Sequence, residues 1–170
     1  KIEAALQRPP HPEYAEGKYV PTWVAVNEER FGGNGDIWVA DGYGSNLVHR
    51  FDSSANYVAT IDGREGAGRF QQPHTVFLDI RKPEAELYIA DRANHRIQVY
   101  DLEGTFKRSF GEDFLAMPTG FGICGDDLAV LELQARITLL DAEDTLIGHI
   151  GANQPVCDHE GWPNSLDAQS

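Results

Sequence analysis

The feature that most constrains the fold is one sequence phrase that occurs three times along the chain. Each copy contains short segments in which apolar and polar residues alternate, which is the period-2 pattern of half-buried strands. The clearest copy spans residues 86–112, and residues 36–63 and 127–151 carry the same phrase. Turn residues such as Asn, Asp and Gly separate the segments. The sequence therefore predicts a repeat protein built from short strands.

The spacing of the copies narrows the architecture. Pro21, Pro73 and Pro118 begin equivalent strands, and these prolines lie 52 and 45 residues apart. Repeats of this period are typical of solenoids and of β-propeller blades. Each copy holds four strands, A to D, and is too small to bury both faces alone, so neighbouring copies must stack. We predict an all-β fold with an extended lead-in (1–18), three blades (19–63, 70–112 and 115–151) and a loop or tail (152–170).

Composition excludes some function classes. The net charge of −13 argues against nucleic acid as a partner, because phosphates demand a basic surface. No apolar run approaches the roughly 18 residues of a membrane span. The sequence starts at Lys1 without an apolar leader, as expected of a processed chain or one cut from a longer protein, and it assigns no compartment. We predict a buried thiol at Cys124 and a loop thiol at Cys157, with a disulfide between them as the alternative.

Two of the three copies resemble the NHL family of β-propellers. The matching segments are 37–41 followed by 46–52, and 87–91 followed by 94–101. The third copy has Glu132 at the position of the acidic Asp. The resemblance implies a ring of six blades, of which three are visible here. The remaining blades would come from more of a longer chain, which we favour, or from a second copy of this chain; capping by the tail is the third alternative.

Strand direction predicts where chemistry would gather. Strands alternate in direction, so the start of strand A and the end of strand B lie on one face of the disc, with strand A lining the central channel. Tyr43 and Arg92 follow strand B in the first two repeats, and His74 begins strand A of the second. We therefore predict these residues as neighbours at one channel mouth. His74 replaces the threonine found at the equivalent positions, Thr22 and Thr119.

The chemistry of these three side chains allows a functional and a structural interpretation for each. The His74 imidazole suits a metal ligand or an acid–base group, or it fills the channel through hydrogen bonds. Tyr43 suits a base if a metal lowers its pKa from about 10, or it packs on the blade. Arg92 suits a forked contact with a carboxylate, or a salt bridge with one of the nearby acids.

The chain also resembles one branch of these propellers, the peptidylglycine α-amidating lyases. The residues that carry this resemblance lie in the segments 21–26, 39–46, 70–74 and 89–94. These lyases cleave a peptidyl-α-hydroxyglycine to a peptide amide and glyoxylate. The resemblance implies that Tyr43 is the catalytic base, that Arg92 is a catalytic guanidinium near the substrate carboxylate, and that His74 is a zinc ligand. Two further histidines would have to come from other blades or from a partner chain.

Other candidate residues are weaker. The resemblance implies zinc, and calcium bound by backbone carbonyls and carboxylates in the channel is an additional expectation. The sequence Cys157-Asp158-His159 lacks a second ligand pair. We predict His49 and His95 to be solvated or packed within the blades. The acids that recur at strand ends are predicted to accept backbone N–H bonds in turns, and they are Asp41, Asp52, Asp91, Asp101 and Asp141.

Two functions from different classes remain open at this point. The first is a metal-dependent carbon–nitrogen lyase with its site at the channel mouth around Tyr43, His74 and Arg92. The second is a non-enzymatic scaffold that binds a peptide, a protein or a small ligand on the same face. A propeller fold alone does not choose between them, because propellers host many functions.

Overall fold

A computed structural model describes residues 8–151 and shows an all-β architecture of three four-stranded antiparallel sheets. The first blade contains β1 (Trp23–Val26), β2 (Ile37–Asp41), β3 (Leu47–Phe51) and β4 (Tyr57–Ile61). The second contains β5 (Pro73–Asp79), β6 (Glu86–Asp91), β7 (Arg96–Tyr100) and β8 (Phe106–Phe110). The third contains β9 (Pro118–Cys124), β10 (Asp127–Glu132), β11 (Arg136–Leu140) and β12 (Leu146–Gly151). Three short 3₁₀ helices accompany them, Pro12–Ala15, Glu29–Phe31 and Arg92–Asn94.

The blades stack because successive side chains of a strand point to opposite faces. At the first interblade interface, Trp38 and Val48 of the first blade pack in one cluster with Ile89 and Tyr100 of the second. At the second interblade interface, Tyr88 and Val99 lie in one cluster with Leu128, Val130 and Leu140 of the third blade. The inner strand β5 contacts both β1 and β9, so that the sheets fan out around their A strands. This arrangement confirms the predicted β-propeller fold.

The two ends of the fan differ in how their apolar faces are covered. At the first blade, Tyr14 is 1% exposed and its hydroxyl donates to Asp41 at 2.7 Å and lies 2.6 Å from Nε2 of His49. The described part of the lead-in, from residue 8, therefore packs on this blade, and His49 is fully buried in it. At the third blade, Leu131, Ile137 and Ile150 are 45%, 37% and 56% exposed. The third blade thus presents an open apolar face.

The recurring acids hold turns and chain entries, as predicted. Asp52, Asp101 and Asp141 each accept backbone N–H bonds from the residues two and four positions further along the chain. Asp41 and Asp91 also accept an N–H from the segment that enters their own blade: the Val20 N–H donates to Asp41 at 2.6 Å, and the Gln71 N–H donates to Asp91 at 2.7 Å. The first and second blades are thereby each tied to the chain that precedes their A strand.

One prediction about the cysteines was wrong. Cys124 is free and exposed rather than buried. Cys124 lies opposite Asp127 in the register of β9 and β10. Because side chains alternate along a strand, Cys124 is on the same outward face of the third blade as Leu131. None of residues 8–151 forms a further sheet on that face. The sequence Cys157-Asp158-His159 lies outside the described residues. No helix within residues 8–151 is long and apolar enough to span a membrane.

Candidate functional site

The structure brings together the three residues that the sequence singled out. The Arg92 Nη1 donates to the Tyr43 hydroxyl at 3.1 Å, and the Arg92 Cζ lies 5.3 Å from the centre of the Tyr43 ring. The edge of one ring meets the face of the other between Tyr43 and His74, with ring centres 5.8 Å apart. Tyr43 belongs to the first blade, and Arg92 and His74 belong to the second. The site therefore spans the first interblade interface.

The local backbone explains how two blades approach so closely here. Tyr43 follows Gly42, and a Cβ atom at Gly42 would collide with the carbonyl oxygen of Pro73. Only glycine lets the turn after β2 rest against the start of β5. Thr22 supports the same contact, because its hydroxyl accepts the Gly42 N–H at 3.3 Å and lies 3.1 Å from the Pro73 carbonyl oxygen.

Arg92 is the most unusual member of the site. It is 7% exposed, and its two described hydrogen-bond acceptors are neutral: the Tyr43 hydroxyl, and Oε1 of Gln72 at 2.8 Å. Its Nε is buried and has no hydrogen-bond partner among residues 8–151. Other largely buried arginines of the described chain face carboxylates, in the pairs Arg50–Asp36, Arg81–Asp79, Arg96–Asp91, Arg108–Glu86 and Arg136–Glu132. Buried charges are normally paired, so Arg92 differs from these arginines in having no carboxylate partner among residues 8–151.

A backbone hydrogen bond fixes the orientation of the His74 ring. Its Nδ1 donates to the carbonyl oxygen of Thr119 at 2.9 Å, so that Nε2 is the nitrogen without a proton whenever the imidazole is neutral. Burial lowers the pKa of His74 below its usual 6.5, and the positive charge of Arg92 lowers this pKa further, against the opposing effect of the Thr119 bond. Histidines that bind a metal through one ring nitrogen commonly donate the N–H of the other ring nitrogen to a backbone carbonyl in this way.

Gln72 is a site residue that the sequence analysis did not single out. It contacts Arg92, and its backbone takes the left-handed conformation with φ of 55°. Its N–H donates to Oδ1 of Asn46 at 2.8 Å, so it also touches the turn that carries Tyr43. The available signal was its polarity, since Val20 and Met117 precede the equivalent prolines of the other blades. We call Tyr43, Gln72, His74 and Arg92 the interface cluster.

A separate groove lies at the other end of the A strands. It has a volume of about 700 Å³ and runs along β1 and β5 to the loops that follow them. Trp23 and Phe31 line it and are 51% and 62% exposed. The groove lining contains none of the four residues of the interface cluster.

Comparisons with known proteins agree with this architecture. No protein-family model matches the chain. Over 153 residues, the chain is 29% identical to the Caenorhabditis elegans protein named probable peptidyl-α-hydroxyglycine α-amidating lyase. The match covers 88% of this chain and 38% of that protein, so the chain spans well under half the length of this relative.

Solved structures show the fold more directly. A streptogramin B lyase matches with a TM-score of 0.63 and 15% identity, over 86% of this chain and 44% of that one. A Staphylococcus aureus virginiamycin B lyase with quinupristin matches with a TM-score of 0.63 and 17% identity, over 86% of this chain and 44% of that one. BBS1N in complex with ARL6DN matches with a TM-score of 0.59 and 13% identity, over 84% of this chain and 42% of that one.

The chain is a β-propeller that resembles the amidating lyases. Identities of 13–17% to the solved structures establish the fold alone. Within this propeller, the segments that carry the resemblance to the lyases converge on the interface cluster.

The described part of the propeller does not by itself fit a zinc or calcium site. Residues 8–151 contain no group of three or more His, Cys, Asp or Glu side chains that could hold a metal ion. His74 has the tautomer of a ligand, but Thr22 and Thr119 occupy the equivalent positions of the neighbouring blades. A stable zinc site requires three or four protein ligands. These residues therefore supply at most one of them.

Proposed function

We propose that the propeller is a carbon–nitrogen lyase of the peptidylglycine amidating type, with its site at the interface cluster. The observation that carries this proposal is the buried Arg92 guanidinium, whose hydrogen-bond acceptors among residues 8–151 are neutral, so that it suits the carboxylate of a hydroxyglycine. The similarity to a protein named as such a lyase supports the same reaction class.

The cluster offers a group for each part of that reaction. Arg92 binds the substrate carboxylate, and Tyr43 in its phenolate form accepts the proton of the α-hydroxyl group. The carbon–nitrogen bond then breaks and the hydroxyl carbon becomes the aldehyde of glyoxylate. The amide nitrogen takes the electron pair of that bond and the proton that Tyr43 had accepted. The Arg92 Nη1 lies 3.1 Å from the Tyr43 oxygen and stabilises negative charge there.

The test is turnover by the intact protein. A peptidyl-α-hydroxyglycine is supplied and the release of peptide amide and glyoxylate is measured. Tyr43→Phe should lower kcat by about 100-fold or more, the usual contribution of a general base. Tyr57→Phe is the matched control, because the Tyr57 hydroxyl bonds Thr60 in the first blade at 2.9 Å and is no part of the cluster. Absence of turnover by the wild type, or an equal kcat for Tyr43→Phe, contradicts the proposal.

We also propose that His74 contributes one ligand to a zinc ion whose other ligands lie outside residues 8–151. The bound metal would supply Lewis-acid chemistry next to the cluster. His74→Ala should reduce the zinc content of the purified intact protein, while His95→Ala at an exposed position should not. Calcium is the alternative ion, and elemental analysis distinguishes the two. Equal metal content in wild type and His74→Ala contradicts a role for this ligand.

The third blade supports a proposal about assembly. Its outward face exposes Leu131, Ile137 and Ile150, whereas Val99 on the corresponding side of the second blade is fully buried at the second interface. We propose that further blades pack on this face, from a longer chain or from a second copy. Sedimentation analysis of the intact protein separates these sources, because a second copy doubles the mass.

A second candidate function is a scaffold that binds a peptide, a protein or a small ligand without catalysis. The sequence predicts such a ligand on the face of the channel mouth, whereas the groove that exposes Trp23 and Phe31 lies at the other end of the A strands. This groove favours a binding function, since exposed aromatic side chains are frequent anchors of binding surfaces. One propeller of similar fold, BBS1N, is known in complex with ARL6DN. Loss of ligand binding in Trp23→Ala, in a wild type without lyase turnover, would favour this function.

A further inference from the structure

The position before the second A strand has a conformation that its equivalents lack. Gln72 has a φ of 55°, whereas neither Val20 nor Met117, at the equivalent positions, is among the residues of positive φ. For a residue other than glycine, this left-handed backbone is sterically unfavourable. Such strain persists only where surrounding contacts hold it, and it concentrates at functional sites.

Those surrounding contacts connect Gln72 to both sides of the first interface. Its N–H donates to Asn46 in the turn of Tyr43, and its carbonyl oxygen accepts the Arg92 N–H at 3.4 Å. Its side chain then turns to Arg92 and accepts from Nη2 at 2.8 Å. One residue thus fixes the backbone and the guanidinium of Arg92 in relation to the turn that bears the phenol.

The chemical type of Gln72 also matters. The two ends of the guanidinium are each occupied, Nη1 by the Tyr43 hydroxyl and Nη2 by the Gln72 amide oxygen. An amide accepts a hydrogen bond from Arg92 without cancelling its charge. A glutamate of the same shape would form the forked ion pair that carboxylates make with arginine. The amide therefore orients the cation and leaves its charge for a ligand.

We propose that Gln72 is a positioning residue that holds the Arg92 guanidinium beside the Tyr43 hydroxyl while leaving the positive charge available. This inference rests on the proposed lyase function for its kinetic consequences, though not for the geometry. Gln72 acts through Arg92 and takes no part in bond breaking itself.

The kinetic arm uses three variants of the intact protein. Gln72→Ala removes the acceptor and should lower kcat by about 10- to 100-fold, because misplacement of a catalytic group by about 1 Å costs that much. Gln72→Glu keeps the acceptor but pairs the charge, so it should raise KM for the hydroxyglycine peptide about 10-fold and largely keep kcat. Gln71→Ala is the matched control, because Gln71 is the adjacent and exposed residue of the same type.

A purely structural role predicts a different pattern. In that case Gln72→Ala would lower the melting temperature and leave kcat unchanged, and Gln72→Glu would match the wild type in both kcat and KM. Either result overturns the proposal.

The second arm does not depend on turnover. In ¹⁵N NMR spectra, a guanidinium held at both ends should give resolved Nη signals for Arg92 in the wild type, in Gln71→Ala and in Gln72→Glu. These signals should collapse through rapid rotation in Gln72→Ala. If the wild type shows no turnover, the lyase proposal fails while these spectra still decide whether Gln72 orients Arg92; unchanged signals in Gln72→Ala overturn that inference.

Discussion

The two interblade interfaces use polar residues in opposite ways. At the second interface, Asp144 of the third blade accepts from Tyr88 at 2.8 Å and from Lys82 at 2.7 Å, and it also pairs with Arg81 and Arg108. These contacts lie at the end of the sheets where the B strands begin. The polar cluster of the first interface lies at the other end, where the B strands finish, and its cation Arg92 faces neutral acceptors.

The difference lies in whether the buried cations have carboxylate partners. At the second interface, cations and carboxylates are matched, and they stabilise the contact of two sheets. At the first interface, a buried cation lacks a carboxylate among residues 8–151, which is a cost to stability that a bound anion would offset. The corresponding positions of the second interface hold Ala93, Met117, Thr119 and Leu133 in place of Tyr43, Gln72, His74 and Arg92. The scaffold thus provides equivalent chain positions at both interfaces, and among the described residues these four side chain types occur together at the first interface.

The largest expected effect, on turnover, comes from replacing Arg92 by leucine, the residue found at the equivalent position Leu133 of the third blade. Arg92→Leu should reduce turnover of a hydroxyglycine peptide by at least 100-fold, because it removes the proposed carboxylate contact. The same change should leave the free energy of unfolding equal or higher, since it replaces a buried charge without a counter-ion by an apolar group.

Steady-state kinetics and urea unfolding of the intact protein measure these two quantities. A variant that keeps its turnover, or one that loses several kcal/mol of stability, would show that Arg92 serves the blade contact instead.

The converse effect is expected at the second interface. Asp144→Asn keeps the shape of the side chain and removes its charge, so that the cations around it lose their shared partner. We expect a loss of about 3 kcal/mol in the free energy of unfolding, in the range measured for broken buried ion pairs. Asp113→Asn, at an exposed acid in a turn, is the control. Equal stability of the two variants would remove the assignment of Asp144 to the blade contact.

A smaller effect concerns two equivalent blade positions, His49 and Gln98. Burial lowers the pKa of His49 from its usual 6.5 to about 3, and the nearby His11 adds to the shift. Since the pKa is lower in the folded protein, the stabilising contribution is complete above pH 6.5 and is lost as the pH falls towards 3. The loss amounts to at most about 1.4 kcal/mol per pH unit.

His49→Gln, which copies the second blade, should flatten this acid dependence of the unfolding free energy. Unfolding curves at several values between pH 7 and pH 4 measure it. The same pH slope in the variant and the wild type would refute the assignment to His49.

The strands were predictable from the sequence because their apolar pattern is local. The strands Ile37–Asp41, Leu47–Phe51 and Tyr57–Ile61 all lie within the first copy of the repeated phrase, residues 36–63. The start of the first A strand differs from the prediction, because β1 begins at Trp23 and not at Pro21. The proximity of Tyr43, His74 and Arg92 was also predictable, since it follows from strand direction in a propeller.

Other features depended on tertiary contacts that a local pattern does not contain. The left-handed backbone of Gln72 is imposed by Asn46 and Arg92, from other segments of the chain. The burial of Tyr14 depends on a hydrogen bond to Asp41, 27 positions away. Cys124 is exposed because it lies on the face of the third blade against which no other sheet of residues 8–151 packs.

Ligand affinity tests the central claim that Arg92 is a cation held for a carboxylate. Binding of two peptides to the intact protein is compared by calorimetry, one ending in glycine with a free carboxylate and one with the matching carboxamide. We predict that the carboxylate peptide binds wild type at least 10-fold more tightly and that Arg92→Leu binds both peptides equally. Equal affinities in the wild type, or a preference that survives in Arg92→Leu, would contradict the account.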